Sequence, residues 1–345
     1  MKTLWIHAGM PKCGSSALQV FLASHRQPLL SAGIDYLPIS DLSRARKGQI
    51  TSGNAGLLSR SLLDPADAAA IADDGIAYQA LLKAVRASEA PCGLISSEFF
   101  AYVGREAYQR LIDDLGAQGC VAKLIYYVRR QDQVLISGYM QAVKRHHYTG
   151  YPEDFVRDID QHNAALLRYD DRARWFEAVF GAGNLAVRVY EATQRHPQGI
   201  AGDFLDQLIG QCPHWVKPQP AVNPSPSPAE LKLMLVANRY RPRMRFSDIL
   251  AANRLRAGQS PLYASHQILP PALSKQIIDD FAEHNQRLAA HYTDGERFPP
   301  YQALPYIDLK TLAVDTDELM AILAGFLVDF DQRLATLEQS ATKRA

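Results

Sequence analysis

Cysteine is scarce in this chain of 345 residues, and its four cysteines stand far apart without a C-x-x-C pair. That spacing argues against a zinc site and against a disulfide framework, both of which need clustered or regularly repeated cysteines. We therefore expect reduced thiols and a cytoplasmic protein. The cysteines are Cys13, Cys92, Cys120 and Cys212.

Net charge is also close to absent. Lysine and arginine together number 37, aspartate and glutamate 36, and the formal net charge is +1 at pH 7. A chain without a global basic field is a poor ligand for nucleic acid, so we expect no nucleic-acid partner and only local attraction of anions.

Long apolar runs are missing as well. A membrane-spanning helix needs a predominantly apolar run of about 18 residues or more, and no stretch approaches that length. The chain enters an apolar stretch at Thr3 without a basic segment before it, so the sequence predicts no secretory leader and no integral membrane segment.

Several catalytic motifs are not found in the sequence. It contains no H-E-x-x-H metalloprotease motif, no G-x-S-x-G nucleophile elbow, no Rossmann G-x-G-x-x-G and no paired-carboxylate glycosidase motif. No aspartate follows an apolar strand as a Walker B residue would, so nothing in the sequence calls for Mg²⁺.

The segment from Leu4 to Ser16 is the most informative part of the chain, because an apolar strand, a short loop and a helix start follow one another directly. Gly9 and Gly14 keep the G-x-x-x-x-G spacing of a Walker A loop, but Ser15 stands where that motif requires lysine, and Lys12 lies inside the loop. This displacement argues against an ordinary ATPase. Backbone N–H groups at the helix start can still hold a phosphate, and Lys12 can still reach a group transferred from it.

A second strand-to-helix junction runs from Leu124 to Tyr139, where Arg129 is followed eight residues later by Ser137. The stretch Pro11 to Ser16 is similar to the P-K-x-G-[TS]-[TS] loop of sulfotransferases that use 3'-phosphoadenosine-5'-phosphosulfate (PAPS), and the second junction resembles their 3'-phosphate segment. The resemblance covers roughly the first 210 residues and departs from the family at Gln131, where proline is common.

The resemblance implies a role for each matched residue. Backbone and hydroxyl groups of the loop would hold the 5'-phosphosulfate, Lys12 would neutralise charge on the bridging oxygen, and Arg129 and Ser137 would bind the 3'-phosphate. The product would be 3',5'-adenosine bisphosphate, and no metal would be required. The cofactor-binding residues are then Lys12, Cys13, Gly14, Ser15, Ser16, Arg129 and Ser137.

The general base is harder to assign. Glu98, just past a predicted strand, is the first candidate, because glycan-modifying members of the family carry a glutamate there, although no lysine follows it here. The alternative for Glu98 is a carboxylate that only opposes a helix dipole. His7 on the first strand is the second candidate, and a hydrogen-bonded core histidine is the alternative for that residue.

For the fold, the sequence predicts an α/β class, with a P-loop-like, open and mainly parallel sheet flanked by helices and a helical C-terminal region. We expect a PAPS-binding core over 1–216, and a Pro-rich connector with C-terminal helices over 217–345, packed on the core as one domain. Strands are predicted at 3–8, 93–97, 121–128 and 185–190. Helices are predicted from Ser15, at 107–115, 163–180, 228–240 and 271–292, and from 316 to about 338.

The predicted function is transfer of a sulfuryl group from PAPS to an acceptor hydroxyl on a carbohydrate, glycolipid or secondary metabolite. Animal Golgi members of the family carry a membrane anchor that this sequence lacks, which favours a bacterial cytoplasmic enzyme. Peripheral contact with a lipid-linked acceptor stays open. Two alternatives are an ATP-dependent P-loop kinase, and an inactive nucleotide-binding or scaffold protein.

Overall fold

The structure is a computed structural model, and it describes residues 2–159, 161–218, 226–240, 247–250, 253 and 266–342. The middle of the predicted Pro-rich connector, 219–225, lies outside the described residues.

Five parallel strands form one open sheet in the order β2-β3-β1-β4-β5. The four predicted strands are confirmed to within one residue at each end, and the α/β fold class is confirmed as well. Strand β2 was not predicted, because three residues are too few to give an alternating or apolar pattern. The strands are β1 Lys2–His7, β2 Ile34–Tyr36, β3 Cys92–Ser96, β4 Cys120–Val128 and β5 Leu185–Val189.

The register of the central strands brings three loops to the same edge of the sheet. His7 at the end of β1 pairs with Ser96 at the end of β3 and with Ile125 of β4. Leu4 and Ile6 are fully buried between the flanking helices, as in parallel sheets covered on both faces. In such sheets, ligands bind beyond the carboxyl ends of the strands, so this edge is where a site is expected.

Helices are the commonest secondary structure in the described residues. They are α1 Ser15–Ser24, α2 Arg26–Ser31, α3 Ser43–Arg46, α4 Gly56–Ser61, α5 Ile76–Ala87, α6 Arg105–Gly116, α7 Gln131–Arg145, α8 Pro152–Arg157, α9 Gln161–Leu166, α10 Tyr169–Phe180, α11 Gly199–Ile209, α12 Pro228–Tyr240, α13 Pro271–Asp280, α14 Ala282–His291 and α15 Thr316–Thr342. None of the helices described here is long and apolar enough to cross a membrane.

Two predicted helices are each divided in the structure. The helix predicted at 163–180 becomes α9 and α10, because the backbone tightens between them: Leu167 N donates to Ala164 O and Arg168 N to Ala165 O, three residues back. The helix predicted at 271–292 becomes α13 and α14, since Phe281 has φ −102° and ψ 6°, outside the helical region.

The chain divides into two compact units. The first holds the sheet and comprises the described residues up to Val134, those of 161–218, and Asp280–Pro300; the second comprises Leu135 to 159, the described residues of 226–279, and Tyr301 to 342. The two units alternate along the sequence and do not divide at position 216, the boundary predicted from the sequence. Residues 135–159, which precede this position, belong to the second unit, and Asp280–Pro300, which follows it, belongs to the first. The division into 1–216 and 217–345 stays a prediction.

The second unit is helical and has its own apolar core. The predicted start of α12 is confirmed by a capping box, in which Ser227 N donates to Glu230 Oε2 over 2.7 Å and Glu230 N donates to Ser227 Oγ over 3.1 Å. The core residues are Tyr139, Val143, Leu231, Met234, Leu235, Leu250, Ile268 and Leu309.

Candidate functional site

The loop between β1 and α1 is held against the neighbouring strand β4. Ala8 N donates to Ile125 O over 3.0 Å, Met10 N donates to Tyr127 O over 2.9 Å, and Tyr127 N donates to Gly9 O over 2.7 Å. The hydrogen-bond ladder therefore continues past the end of β1, and the sheet fixes where the loop begins.

Gly14 ends the loop and stands at the N-cap of α1, with φ 77° and ψ 8°. A Cβ atom at this position would lie 2.7 Å from Tyr190 Cε2 and 2.9 Å from Ile200 Cδ1, so only glycine fits both the left-handed backbone and the space. No described side chain caps α1. The first N–H groups of the helix, at its positive end, are thus available to an anion.

Lys12 lies at the turn of the loop with φ 71°, a left-handed conformation that few residues other than glycine adopt. Burial lowers the pKa of the Lys12 ammonium below its ordinary value of 10.5, and the Glu98 carboxylate acts in the opposite sense. Lys12 is therefore a partly desolvated cation beside an acid, and its electrostatic effect on a bound group is stronger than that of a lysine in water.

Glu98 begins a 3₁₀ turn, Glu98–Tyr102, directly after β3. Its Oε2 accepts a hydrogen bond from Ser15 Oγ over 3.2 Å. Its main chain also passes close to the loop, because a Cβ atom on Gly9 would lie 3.2 Å from Glu98 Cα. The structure thus brings together Lys12, Ser15 and Glu98, three of the residues singled out in the sequence.

Arg129 follows β4 and reaches the same loop. Its Nη1 donates to Lys12 O over 3.1 Å, its Nη2 donates to Gln133 Oε1 over 3.4 Å, and its guanidinium lies 5.3 Å from the centre of the Tyr190 ring. Its Nε is buried and has no hydrogen-bond partner among the described residues. A buried donor without a partner costs free energy, so this atom is suited to receive an anionic ligand.

The guanidinium of Arg130, the next residue, is bound by groups of the protein itself. Its Nε and Nη2 bind the two oxygens of Asp132 over 2.7 and 3.0 Å, and its Nη1 donates to Pro299 O and Pro300 O over 3.0 and 3.1 Å. Both members of this ion pair are buried. The pair joins the start of α7 to the end of the segment Asp280–Pro300 within the first unit.

His7 is fully buried, which weighs against its role as a base for an acceptor. Its Nδ1 lies 2.8 Å from Ser96 Oγ, and its ring meets those of Tyr127 and Phe204 edge-on. Burial lowers the pKa of His7 to about 3, so the imidazole is neutral at pH 7. Its Nε2 has no partner in the described part of the chain. The residue is a core histidine with one unmet hydrogen bond.

The remaining predicted residues differ in what the structure says of them. Cys13 is buried, and burial raises the pKa of its thiol, so the thiol is protonated at neutral pH. Ser16 lies half-exposed in the first turn of α1. Ser137 lies on α7 beyond Val134, in the second unit. The assignment of Ser137 to the 3'-phosphate stays a prediction from the sequence spacing.

Two residues after β5, Tyr190 and Glu191, lie beside the loop but were not singled out from the sequence. Tyr190 packs between Gly14 and Arg129, and Glu191 Oε1 accepts a hydrogen bond from Arg130 N over 3.0 Å. Burial raises the pKa of Glu191, and its Oε2 is buried without a partner in the described residues. Position was the available signal, because Tyr190 ends the fourth predicted strand and Glu191 follows it, at the edge where a parallel sheet binds its ligands.

One described group of side chains has the spacing of metal ligands: oxygen and nitrogen atoms of Asp170, Asp171 and His284 lie within 4.8 Å of one another. Asp170 already binds Arg287 Nε over 2.7 Å and His284 Nδ1 over 2.6 Å. An arginine in contact with the central carboxylate repels a cation, so we interpret this group as an ion-pair network that fastens α14 to α10.

No protein-family model and no curated protein matches this chain. Among solved structures, it is similar to a sulfotransferase from Alicyclobacillus acidocaldarius, with 18% sequence identity and a TM-score of 0.43 over 75% of this chain and 97% of the other. Because identity and score are this low, the comparison assigns no function to this chain.

Proposed function

We propose that this protein is a sulfotransferase that moves a sulfuryl group from PAPS to an acceptor hydroxyl. One observation carries the proposal: the hydrogen bond from Arg129 to Lys12 O brings two segments together that lie 117 residues apart in the chain. These are the two segments that resemble the 5'-phosphosulfate and 3'-phosphate motifs of PAPS-dependent enzymes.

The residues present fit the two charged ends of PAPS. The uncapped N-terminus of α1, with Ser15 and Ser16 in its first turn, is suited to the 5'-phosphosulfate. The Arg129 guanidinium is suited to the 3'-phosphate, because its buried Nε has no hydrogen-bond partner among the described residues. Ser137 is proposed as a second ligand of that phosphate on its spacing from Arg129.

When bound, PAPS supplies the sulfuryl group, and 3',5'-adenosine bisphosphate leaves through its 5'-phosphate oxygen. Lys12 stabilises the negative charge that develops on this phosphate, and its partial burial strengthens the effect. Glu98 accepts the proton of the acceptor hydroxyl, since it is the carboxylate in contact with the loop through Ser15. His7 is the weaker candidate for the base because it is enclosed in the core.

The acceptor is proposed to be a small molecule or glycan, such as a sugar on a polysaccharide or glycolipid, or a secondary metabolite. A lipid-linked acceptor would be met by peripheral contact with a membrane surface. A bacterial cytoplasmic setting, with reduced thiols and without a metal requirement, belongs to the same proposal.

The test is calorimetric titration with three ligands: 3',5'-adenosine bisphosphate, 5'-AMP, and ATP with Mg²⁺. We expect the bisphosphate to bind most tightly, and Arg129→Ala to weaken it by about 10- to 100-fold, the cost of a charged hydrogen bond, while affinity for 5'-AMP stays similar. Arg110→Ala is the control, because Arg110 lies on α6 against Tyr78.

Preference for ATP with Mg²⁺ would favour the kinase, and failure to bind any of the three would contradict the proposed nucleotide site.

Turnover is then measured as bisphosphate released from PAPS in the presence of a panel of sugar and phenol acceptors. We expect Lys12→Met to lower it by about 100-fold or more. Tight binding without turnover on any acceptor would favour the inactive nucleotide-binding protein.

A further inference from the structure

The last helix, α15, exposes an apolar face that its own unit does not cover. Six large side chains on it recur in alternating steps of three and four residues, which is the a/d repeat of a coiled coil. We call this face the outer seam. Its members and their exposed fractions are Met320 61%, Leu323 42%, Leu327 69%, Phe330 62%, Leu334 43% and Leu337 66%.

A different face of α15 packs on the second unit. Ile322 and Phe326 are partly buried against the core cluster that contains Leu231 and Met234. Ser227 Oγ also donates to Glu318 Oε1 over 2.9 Å, close to the start of the helix. The helix is therefore already anchored by one face, and the outer seam is a second face.

The end of α15 extends beyond the residues on which it packs. Every residue from Asp331 to Gln339 is exposed, including Leu334 and Leu337 of the outer seam. Helical turns without tertiary packing are only marginally stable in water. The regular seam and the unsupported end both indicate that another helix covers this face.

We propose that the outer seam pairs with the outer seam of a second copy of this chain, as a parallel two-stranded coiled coil. With Met320 at position a, Arg333 falls at g and Glu338 at e of the following heptad. In a parallel pair, these two positions face each other across the seam, so each copy offers one cation and one anion to the other. A twofold axis then satisfies both contacts at once.

The same charges argue against other occupants. An antiparallel pair places e against e, and the e positions at 331 and 338 are both acidic. A lipid surface is also disfavoured, because helices that lie on membranes carry Lys and Arg on their polar face, whereas the described side chains of α15 hold five acids and one arginine. The five acids are Asp317, Glu318, Asp329, Asp331 and Glu338.

Arg333 also has a partner within its own helix, since its Nε lies 2.7 Å from Asp329 Oδ2. Its side chain is nevertheless 65% exposed, so the guanidinium has room for a second carboxylate. Asp329 at position c and Glu338 from the second copy would then hold Arg333 between them.

The test is sedimentation velocity of the full chain over a concentration series. We expect a dimer for the wild type and a monomer for Leu327→Glu/Leu334→Glu, with circular dichroism confirming that the variant is folded. Gln332→Glu is the matched control, because it adds a charge to the same helix at position f, and it should remain dimeric. A monomeric wild type, or a seam variant that still dimerises, would overturn the proposal.

Orientation is tested separately by disulfide cross-linking of Leu337→Cys in a Cys212→Ser background, because Cys13, Cys92 and Cys120 are buried. A parallel coil brings the two d positions face to face, so we expect a cross-linked dimer on mild oxidation. Arg333→Glu should weaken dimerisation about fivefold, and Arg333→Glu/Glu338→Arg should restore it. A dimer that does not cross-link, or charge reversal without rescue, would rule out the parallel arrangement.

Discussion

Arg129 Nη1 donates a hydrogen bond to the main-chain carbonyl of Lys12 over 3.1 Å. The contact joins the loop after β1 to the end of β4, the strand beside it in the sheet. Lys12 has a positive φ, so Arg129 supports a loop conformation that is itself unfavourable. Removing Arg129 can therefore disturb the loop as well as the 3'-phosphate contact, which is why 5'-AMP is needed as a second ligand in the binding experiment.

Gly14 and Gly75 provide a matched pair for testing the close packing of the loop. Both are N-cap residues of helices, with φ 77° and ψ 8° at Gly14 and φ 77° and ψ 9° at Gly75. Nothing lies within 4 Å of a Cβ atom placed on Gly75, whereas one on Gly14 meets Tyr190 and Ile200. We expect Gly75→Ala to lower the free energy of unfolding by about 1–2 kcal/mol through its backbone alone.

Gly14→Ala carries the same backbone cost and a steric cost of about 1–3 kcal/mol more. It should also weaken binding of 3',5'-adenosine bisphosphate, while Gly75→Ala should not. Denaturant unfolding and calorimetry measure the two effects. Equal losses of stability in both variants would mean that Tyr190 and Ile200 move aside at no cost in free energy. That result would contradict the tight fit at Gly14.

Arg130 should affect folding rather than ligand binding. Asp132 has a side chain 1% exposed, and removal of Arg130 leaves that carboxylate buried without its bidentate partner. Breaking such a pair costs about 3–5 kcal/mol. We expect that loss of unfolding free energy for Arg130→Ala in denaturant titrations. Arg130→Ala/Asp132→Ala should cost less than the sum of the two single variants, and additive losses would contradict the coupling.

The centre of the site was predictable because it is local in sequence. An apolar strand, two glycines at fixed spacing and a helix start specify the loop from Gly9 to Gly14, and Arg129 directly follows a strand that is mostly apolar. Tyr190 was not predictable in the same way. Its contact with Arg129 depends on the pairing of Val128 with Val189, and one sequence gives no register between strands.

The last helix shows a similar limit. In the sequence, the spacing of Leu319, Ile322, Leu323, Phe326 and Leu327 is amphipathic and predicts one apolar face. The structure separates that face, since Ile322 and Phe326 pack on the second unit while Leu323 and Leu327 are exposed. Hydrophobic periodicity gives the width of an apolar face, but which part of it meets the core depends on the tertiary packing.

Glu98→Gln tests the proposed base. Glutamine keeps the size of the side chain and an oxygen that can accept the Ser15 hydrogen bond, but it cannot take a proton from an acceptor. We expect turnover to fall by about 100- to 10,000-fold, with affinity for 3',5'-adenosine bisphosphate nearly unchanged. Glu106→Gln, an exposed residue in the first turn of α6, is the control. Unchanged turnover in Glu98→Gln would remove Glu98 from the mechanism.

His7 should make the fold sensitive to acid. Its pKa is lowered from 6.5 to about 3 by burial, so the unfolded chain binds a proton at a pH where the folded chain does not. The contribution of neutral His7 to the free energy of unfolding is therefore complete above pH 6.5. It is lost as the pH falls from 6.5 towards 3, at about 1.4 kcal/mol per pH unit.

The comparison is between wild type and His7→Asn, which retains a polar atom towards Ser96 Oγ but has no group that titrates in this range. The variant should be less stable at pH 7.5, because it loses the ring contacts with Tyr127 and Phe204. Between pH 7.5 and 5.0, however, its disadvantage should shrink by about 2 kcal/mol, because only the wild type must keep a buried imidazole neutral. A difference between the two proteins that stays constant with pH would mean that His7 gains a proton without unfolding.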